Sequence, residues 1–139
     1  MEGDPEWVNV VPPAQFLNRY VFFTEPSYPE TSLVVVRAPS TEGVFSDVML
    51  ECEGALTGWQ PIGPYEYTRT RLVQGQFENV GNCSNGVQRM QSEGPFGVTV
   101  WGWGTSGTEP RSALGSYAYP AVIGLRTMNE VVLPPIVVR

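Results

Sequence analysis

The segment Phe96–Gly104, with the sequence FGVTVWGWG, decides the fold because its apolar side chains recur with a period of two. Successive side chains of a β-strand point to opposite faces of the sheet. One predicted face carries Phe96, Val98, Val100 and Gly102, and the other carries Gly97, Thr99, Trp101 and Trp103. The aliphatic face is the natural core face. The two tryptophans therefore share the opposite face, where a loop, a partner or water must cover them.

Short β-like runs separated by turn signals occupy the rest of the chain, and no window repeats apolar residues at helical spacing over three turns. The predicted strands lie in FLNRYVFFT (Phe16–Thr24), TSLVVVRAP (Thr31–Pro39), FSDVMLECEG (Phe45–Gly54), YEYTRTRLV (Tyr65–Val73) with its continuation GQFENV, GVQRMQS, FGVTVWGWG, SYAYPAVIGLR and NEVVLPPIVV. The segment ALTGWQPIGP reads as a loop, and EGP separates GVQRMQS from FGVTVWGWG. The pattern predicts an all-β, antiparallel, jelly-roll-like β-sandwich of about eight to ten short strands. We expect one domain over residues 1–139, excised from a larger surface protein.

Composition excludes several classes of function. The chain has a net charge of −6 and contains neither Lys nor His. It therefore lacks the basic stripe that a nucleic-acid partner requires, the usual proton shuttle and the commonest metal ligand. A paired-carboxylate glycosidase is the one catalytic class that survives, but the Glu residues fall mainly in turns and on polar strand faces. We predict a protein that is not an enzyme, has no metal or cofactor, and does not insert into a membrane.

The two cysteines, Cys52 in LECEG and Cys83 in GNCSNG, allow two interpretations. They are either two unrelated buried thiols or one disulfide, and their position beside turn residues at strand ends favours the disulfide. Closing a loop of about 31 residues would stabilise the fold by roughly 3–4 kcal/mol. Asn82-Cys83-Ser84 also matches the N-glycosylation sequon, which matters only in a eukaryotic source.

The tryptophan pair has three possible roles. It can form a second small core beneath the loop TSGTEPRSALG and the Tyr117/Tyr119 segment, it can be a platform that stacks a ligand, or it can form a protein interface. Exposing two tryptophans would cost several kcal/mol by order of magnitude, which favours the small core. Trp59 in TGWQPIGP is a loop aromatic that either caps the edge of the core or contributes to a site.

A second candidate surface lies on the segment YEYTRTR. Strict alternation places Tyr65, Tyr67, Arg69 and Arg71 on one face. Tyr and Arg dominate protein interfaces, and such a row would form a positive strip on an acidic body, suited to an acidic partner or a sulfated glycan. The alternative is a solvated face whose arginines stack on tyrosine or pair with Glu51, Glu53 and Glu66.

Several motifs together resemble the IgGFc-binding protein N-terminal domain family, in the form found in large surface proteins of myxobacteria and their relatives. They are GWQPIGPYEYTRTRLV, CSNGVQRMQSEGPFG, PFGVTVWGWG…SYAYP and RTMNEVVLPP. The resemblance runs from about Phe16 to Pro135, with departures at Gln88 and Val122. It implies an extracellular, β-rich, non-enzymatic module of an adhesive or matrix protein. Immunoglobulin binding belongs to a mucus-associated animal member and is not carried over to this chain.

The sequence thus predicts a secreted or cell-surface adhesion or structural module, bacterial in type, that contacts protein or glycan and can be repeated in tandem within its parent chain. The alternative is a carbohydrate-binding module that uses aromatic residues. Its site would be built from Trp59, Trp101, Trp103, Tyr117 and Tyr119.

Overall fold

The computed structural model describes residues 5–105 and 115–121, which form nine antiparallel strands in one curled sheet. The strands are β1 (Leu17–Thr24), β2 (Glu30–Arg37), β3 (Val48–Leu50), β4 (Gly54–Ala55), β5 (Gln60–Ile62), β6 (Tyr65–Gln74), β7 (Glu78–Asn79), β8 (Gly86–Trp103) and β9 (Ser116–Pro120). A single 3-10 turn, Pro13–Gln15, is the only helical element in this part of the chain. The prediction of an all-β, sandwich-like fold is confirmed.

The long strand β8 belongs to both layers of the sandwich. Its first half pairs with β1 and β3, and its second half pairs with β2 and β9. The predicted break at Glu93–Pro95 is therefore wrong, because β8 runs through these residues without interruption. Proline has no N–H to give to a ladder. It is accommodated at the point where β8 changes partners, and there its carbonyl accepts a hydrogen bond from the Ala38 N–H at 3.0 Å.

The core lies between the two layers and contains the aliphatic face predicted for β8. Phe96 and Val100 are fully buried and Val98 is 5% exposed. The Phe96 ring lies 4.9 Å from the Tyr20 ring of β1, and its carbonyl accepts a hydrogen bond from the Tyr20 hydroxyl at 2.6 Å. Met90 of β8 and facing residues from the other strands complete this core, the latter being Phe22, Leu33, Val35, Val48, Leu50 and Leu72.

Two further details differ from the sequence prediction. The segment GQFENV does not continue β6 but turns back as β7, with Gly75 at φ 61° and Phe77 at φ 63° in the turn. The predicted loop ALTGWQPIGP contains β5, which pairs with β6. The predicted strand NEVVLPPIVV and most of the loop TSGTEPRSALG lie outside the described residues.

A disulfide between Cys52 and Cys83 is present, as predicted. It joins the turn between β3 and β4 to the segment between β7 and β8. The disulfide therefore links the layer that contains β3 to the connection that follows β7 of the other layer. Cys83 is 3% exposed and belongs to the buried core cluster. The bridge is therefore part of the packing as well as a crosslink.

Candidate functional site

The strand order places both candidate rows on the same outer face of one layer. Within this layer β2 lies between β8 and β6. Ser32 of β2 is opposite both Trp101 and Arg71, and Val34 is opposite both Thr99 and Arg69. Directly opposed residues in a sheet share a face. We call this surface the Trp–Arg face and define it by Trp101, Trp103, Thr99, Val34, Arg69, Arg71 and Tyr67.

The two tryptophans of the Trp–Arg face are half-buried and cover one another. Their ring centroids are 5.8 Å apart and the planes meet at 9°, the arrangement of an offset stack. The guanidinium carbon of Arg69 lies 5.1 Å from the centroid of the Trp103 ring, a cation–π contact made across β2. Trp101 and Trp103 thus stack on each other, and Arg69 lies over Trp103. The two rings do not form the open flat platform on which a ligand would stack.

The arginines of this face are exposed and carry their charge to solvent. Among the described residues, neither Arg69 nor Arg71 forms an ion pair, and the one side-chain hydrogen bond of Arg69 goes to the Ser32 hydroxyl at 3.4 Å. The acidic residues that were expected to compete for them bind elsewhere: Glu66 with Arg37 at 2.6 Å, Glu51 with Arg89 at 3.3 Å, and Glu53 with the Thr70 hydroxyl at 2.6 Å. Two guanidinium groups that form no ion pair among the described residues therefore stand on this face, with Glu30 opposite Trp103 at its end, on a chain of net charge −6.

A groove of about 410 Å³ runs along this face. Its floor is formed by Val34, Thr99, Trp101, Trp103 and Arg69, and its other wall is the N-terminal segment at Val8, Asn9 and Val10. The lining is mainly apolar with one guanidinium. Sequence reasoning missed the N-terminal wall, because only the tertiary arrangement brings this segment over the sheet.

The two tyrosines of β6 lie at the far end of the row. Tyr65 and Tyr67 are half-buried, and the Tyr67 hydroxyl donates to the Gln60 side-chain oxygen at 3.3 Å. Side chains of β6 alternate between the two faces as the sequence indicated, since Thr68 and Leu72 face the core and are 5% and 0% exposed.

Tyr117 and Tyr119 do not cover the tryptophans, so the expectation that they would do so is wrong. They lie opposite Gly102 and Val100, which places both rings on the core face of β8. The Tyr117 hydroxyl accepts the Glu25 N–H at 3.2 Å, and the Tyr119 hydroxyl donates to the Phe23 carbonyl, so the rings bridge from β9 to the end of β1. Burial raises the pKa of Tyr119 to about 12, with a further contribution from Tyr117, and burial also raises the pKa of Tyr117. Both phenols are neutral near pH 7.

Trp59 is also separate from the Trp–Arg face. Its ring stacks on the guanidinium of Arg37 at 4.1 Å, and its indole N–H donates to the Leu56 carbonyl at 2.9 Å. Arg37 is in turn bound to Glu66 and lies 5.2 Å from the Phe45 ring. Trp59 therefore caps the edge of the core, which was one of its two predicted roles. The aromatic residues Trp59, Trp101, Trp103, Tyr117 and Tyr119 do not form one common site.

Gly102 allows the tyrosine ring of β9 to lie directly on β8. A Cβ atom built at Gly102 would approach the Tyr117 ring to 2.1 Å. We therefore expect Gly102→Ala to lower the free energy of unfolding by about 1–3 kcal/mol through overpacking. In a Tyr117→Ala background the same change should cost little, and a double-mutant cycle in urea measures this difference. Equal costs in both backgrounds would show that the ring does not set the requirement for glycine.

Within residues 5–105 and 115–121, no three His, Cys, Asp or Glu side chains gather in a way that could hold a metal ion. In the same part of the chain there is no helix that is both long and apolar enough to cross a membrane. What the described geometry offers is a stacked aromatic pair beside exposed guanidinium groups and an apolar groove. Such a surface is typical of proteins that bind other macromolecules.

The profile of the family described as IgGFc binding protein matches residues 1–102. The chain belongs to this family, which is a family of binding modules. No curated protein and no solved structure matches the chain.

Proposed function

We propose that this chain is a non-enzymatic extracellular module that binds an acidic protein partner through the Trp–Arg face. The observation that carries the proposal is the exposed pair Arg69 and Arg71, which forms no ion pair among the described residues on a chain of net charge −6. Arg69 also lies over the Trp103 ring. Arginine and tryptophan are the residues enriched at the energetic centres of protein interfaces. Family membership and the disulfide support an exported, binding role.

The charge distribution favours an acidic partner. The remaining described cations are engaged or lie elsewhere: Arg37 is held by Glu66, Arg89 by Glu51, and Arg19 lies on β1 in the other layer. Opposite charge at the contact steers association, while the net negative charge of the body disfavours attachment elsewhere. The apolar groove beside Arg69 would accept an aliphatic or aromatic side chain next to the acidic group.

A neutral carbohydrate ligand has less support. A sugar ring stacks on an accessible aromatic face, whereas Trp101 and Trp103 are stacked on each other and Arg69 lies over Trp103. A sulfated glycan shares the anionic chemistry of an acidic protein and therefore belongs in the same test. We further propose that residues 1–139 form one domain of a longer surface protein of the bacterial, myxobacterial type. Other copies of the domain would lie in tandem in the same parent chain.

Replacement of Arg69 and Arg71 together by alanine should leave folding intact and weaken binding to an acidic partner about 10- to 100-fold. An immobilised glutamate–tyrosine copolymer represents the acidic partner, with heparin and IgG Fc as further probes, and binding is followed by interferometry at two salt concentrations. The matched control is Arg19→Ala/Arg89→Ala, which removes two exposed arginines from the other layer.

The proposal is supported if the chain binds the copolymer and this binding weakens as salt is added. The binding should also be lost in Arg69→Ala/Arg71→Ala and kept in the control variant. Equal losses in both double variants would mean that overall charge, and not this face, governs binding. Binding to heparin alone would favour a glycan ligand, and binding to Fc that does not depend on Arg69 would place an immunoglobulin site elsewhere. A chain that binds none of the three probes would overturn the proposal.

A further inference from the structure

The N-terminal segment carries two of the most exposed apolar side chains among the described residues. Trp7 is 89% exposed and Val10 is 87% exposed. Tryptophan is a large apolar side chain, and leaving it in water is unfavourable. Val8, Asn9 and Val10 line the groove on the Trp–Arg face. Trp7 directly precedes them in the chain, and its side chain is exposed and does not line the groove of its own chain.

Charge also matches between the segment and the groove. Glu6 immediately precedes Trp7 and is exposed. Residues 5–12 belong to none of the strands, so the Glu6 and Trp7 side chains are not held on opposite faces, and their Cα atoms are only about 3.8 Å apart. A tryptophan seated beside Trp103 would therefore bring the preceding carboxylate within reach of the exposed Arg69 guanidinium, which lies over the Trp103 ring. The pair Glu6-Trp7 has the acidic and aromatic chemistry that the face is suited to bind.

We propose that Trp7 of one copy of this chain inserts into the groove of a second copy, in a reciprocal exchange that gives a symmetric dimer. The inference rests on the proposed function, because it names an occupant of the same face and a way to regulate it. The dimer and the acidic partner use the same guanidinium groups and compete. Partner binding is therefore strongest where the chain is dilute.

The size of the contact sets the range in which the dimer forms. Two exchanged tryptophans, each burying roughly 150–250 Å², and two valines give an interface at the small end of specific contacts. Small interfaces of this kind are weak and reversible. The dimer is expected at high micromolar concentration and not at nanomolar concentration.

Sedimentation velocity over this concentration range tests the inference with the whole chain. Trp7→Ala and Arg69→Glu should each raise the dimer dissociation constant at least about thirtyfold, the change expected on loss of a central anchor. Phe23→Ala is the matched control, because it removes a 51% exposed aromatic ring from the other layer and should leave dimerisation unchanged. Circular dichroism of each variant confirms that it is folded.

Mixing the two defective variants gives the sharpest result. Trp7→Ala keeps an intact groove and Arg69→Glu keeps an intact Trp7, so the mixture has one complete contact and should form heterodimers more readily than either variant alone. A chain that stays monomeric at every concentration, or a dimer that survives Trp7→Ala, overturns the inference. So does a dimer abolished by Phe23→Ala, which would place the contact on the other layer. Loss of copolymer binding in Arg69→Ala/Arg71→Ala in a monomeric chain would leave the proposed function standing while this inference fails.

Discussion

Replacing Cys52 and Cys83 together by alanine is expected to lower the free energy of unfolding by about 3–4 kcal/mol. The bridge closes a loop with a sequence separation of 31 residues, and cutting it restores the freedom of that loop in the unfolded chain. Cys83 is 3% exposed, so the missing sulfur also leaves a small void in the core. The expected fall in melting temperature is about 10–15 °C.

Urea denaturation of the oxidised wild type and the double variant measures this change. The control is the wild type with its disulfide reduced, which should unfold near the midpoint of the double variant because both lack the crosslink. Reductant should then have no effect on the variant itself. A loss below about 1 kcal/mol would show that the bridge adds little beyond the packing of the two layers.

Phe96→Ala is expected to cost about 3–5 kcal/mol, the range for deleting a buried aromatic ring. Phe96 is fully buried, packs against Tyr20 and lies where β8 passes from one layer to the other. The cavity would therefore open at the junction of the two layers, where neither can close over it without moving the strand that they share. The Tyr20 hydroxyl would keep its backbone acceptor, so the cost reflects packing and not a lost hydrogen bond.

The matched comparison is Phe23→Ala, which deletes the same ring from a site that is 51% exposed on β1. That change should alter the free energy of unfolding by no more than about 1 kcal/mol. Guanidinium denaturation of both variants gives the difference directly. If the two substitutions cost the same, Phe96 does not have the central packing role that its burial indicates.

Alternation within a strand could be predicted well from the sequence, because it depends only on backbone geometry. Val98 and Val100 are in the core while Trp101 and Trp103 face outward, and Leu72 is buried while Arg69 and Arg71 are exposed. These assignments need no knowledge of which strands are neighbours. They were sufficient to identify both rows of the Trp–Arg face.

What the sequence could not supply was how separate strands meet. Arg69 reaches Trp103 only because β2 lies between their strands, and that order follows from packing of the whole chain. The face of Tyr117 and Tyr119 depends on the register between β9 and β8, and a shift of one residue would reverse it. The strand through Pro95 was likewise missed, because proline is disfavoured in a strand except where a ladder bond is not needed.

The hydrogen bonds made by Tyr117 and Tyr119 have a consequence for the edge of the sheet at β1. Within the described residues β1 pairs on one side only, with β8, and the two hydroxyls bond backbone groups of Phe23 and Glu25, which are two residues apart. Groups spaced in this way point in the same direction, and they are the groups that an added strand from another molecule would use. The phenols therefore act as a guard against strand addition at this end of β1. A strand added at this end of β1 would have to displace both hydrogen bonds.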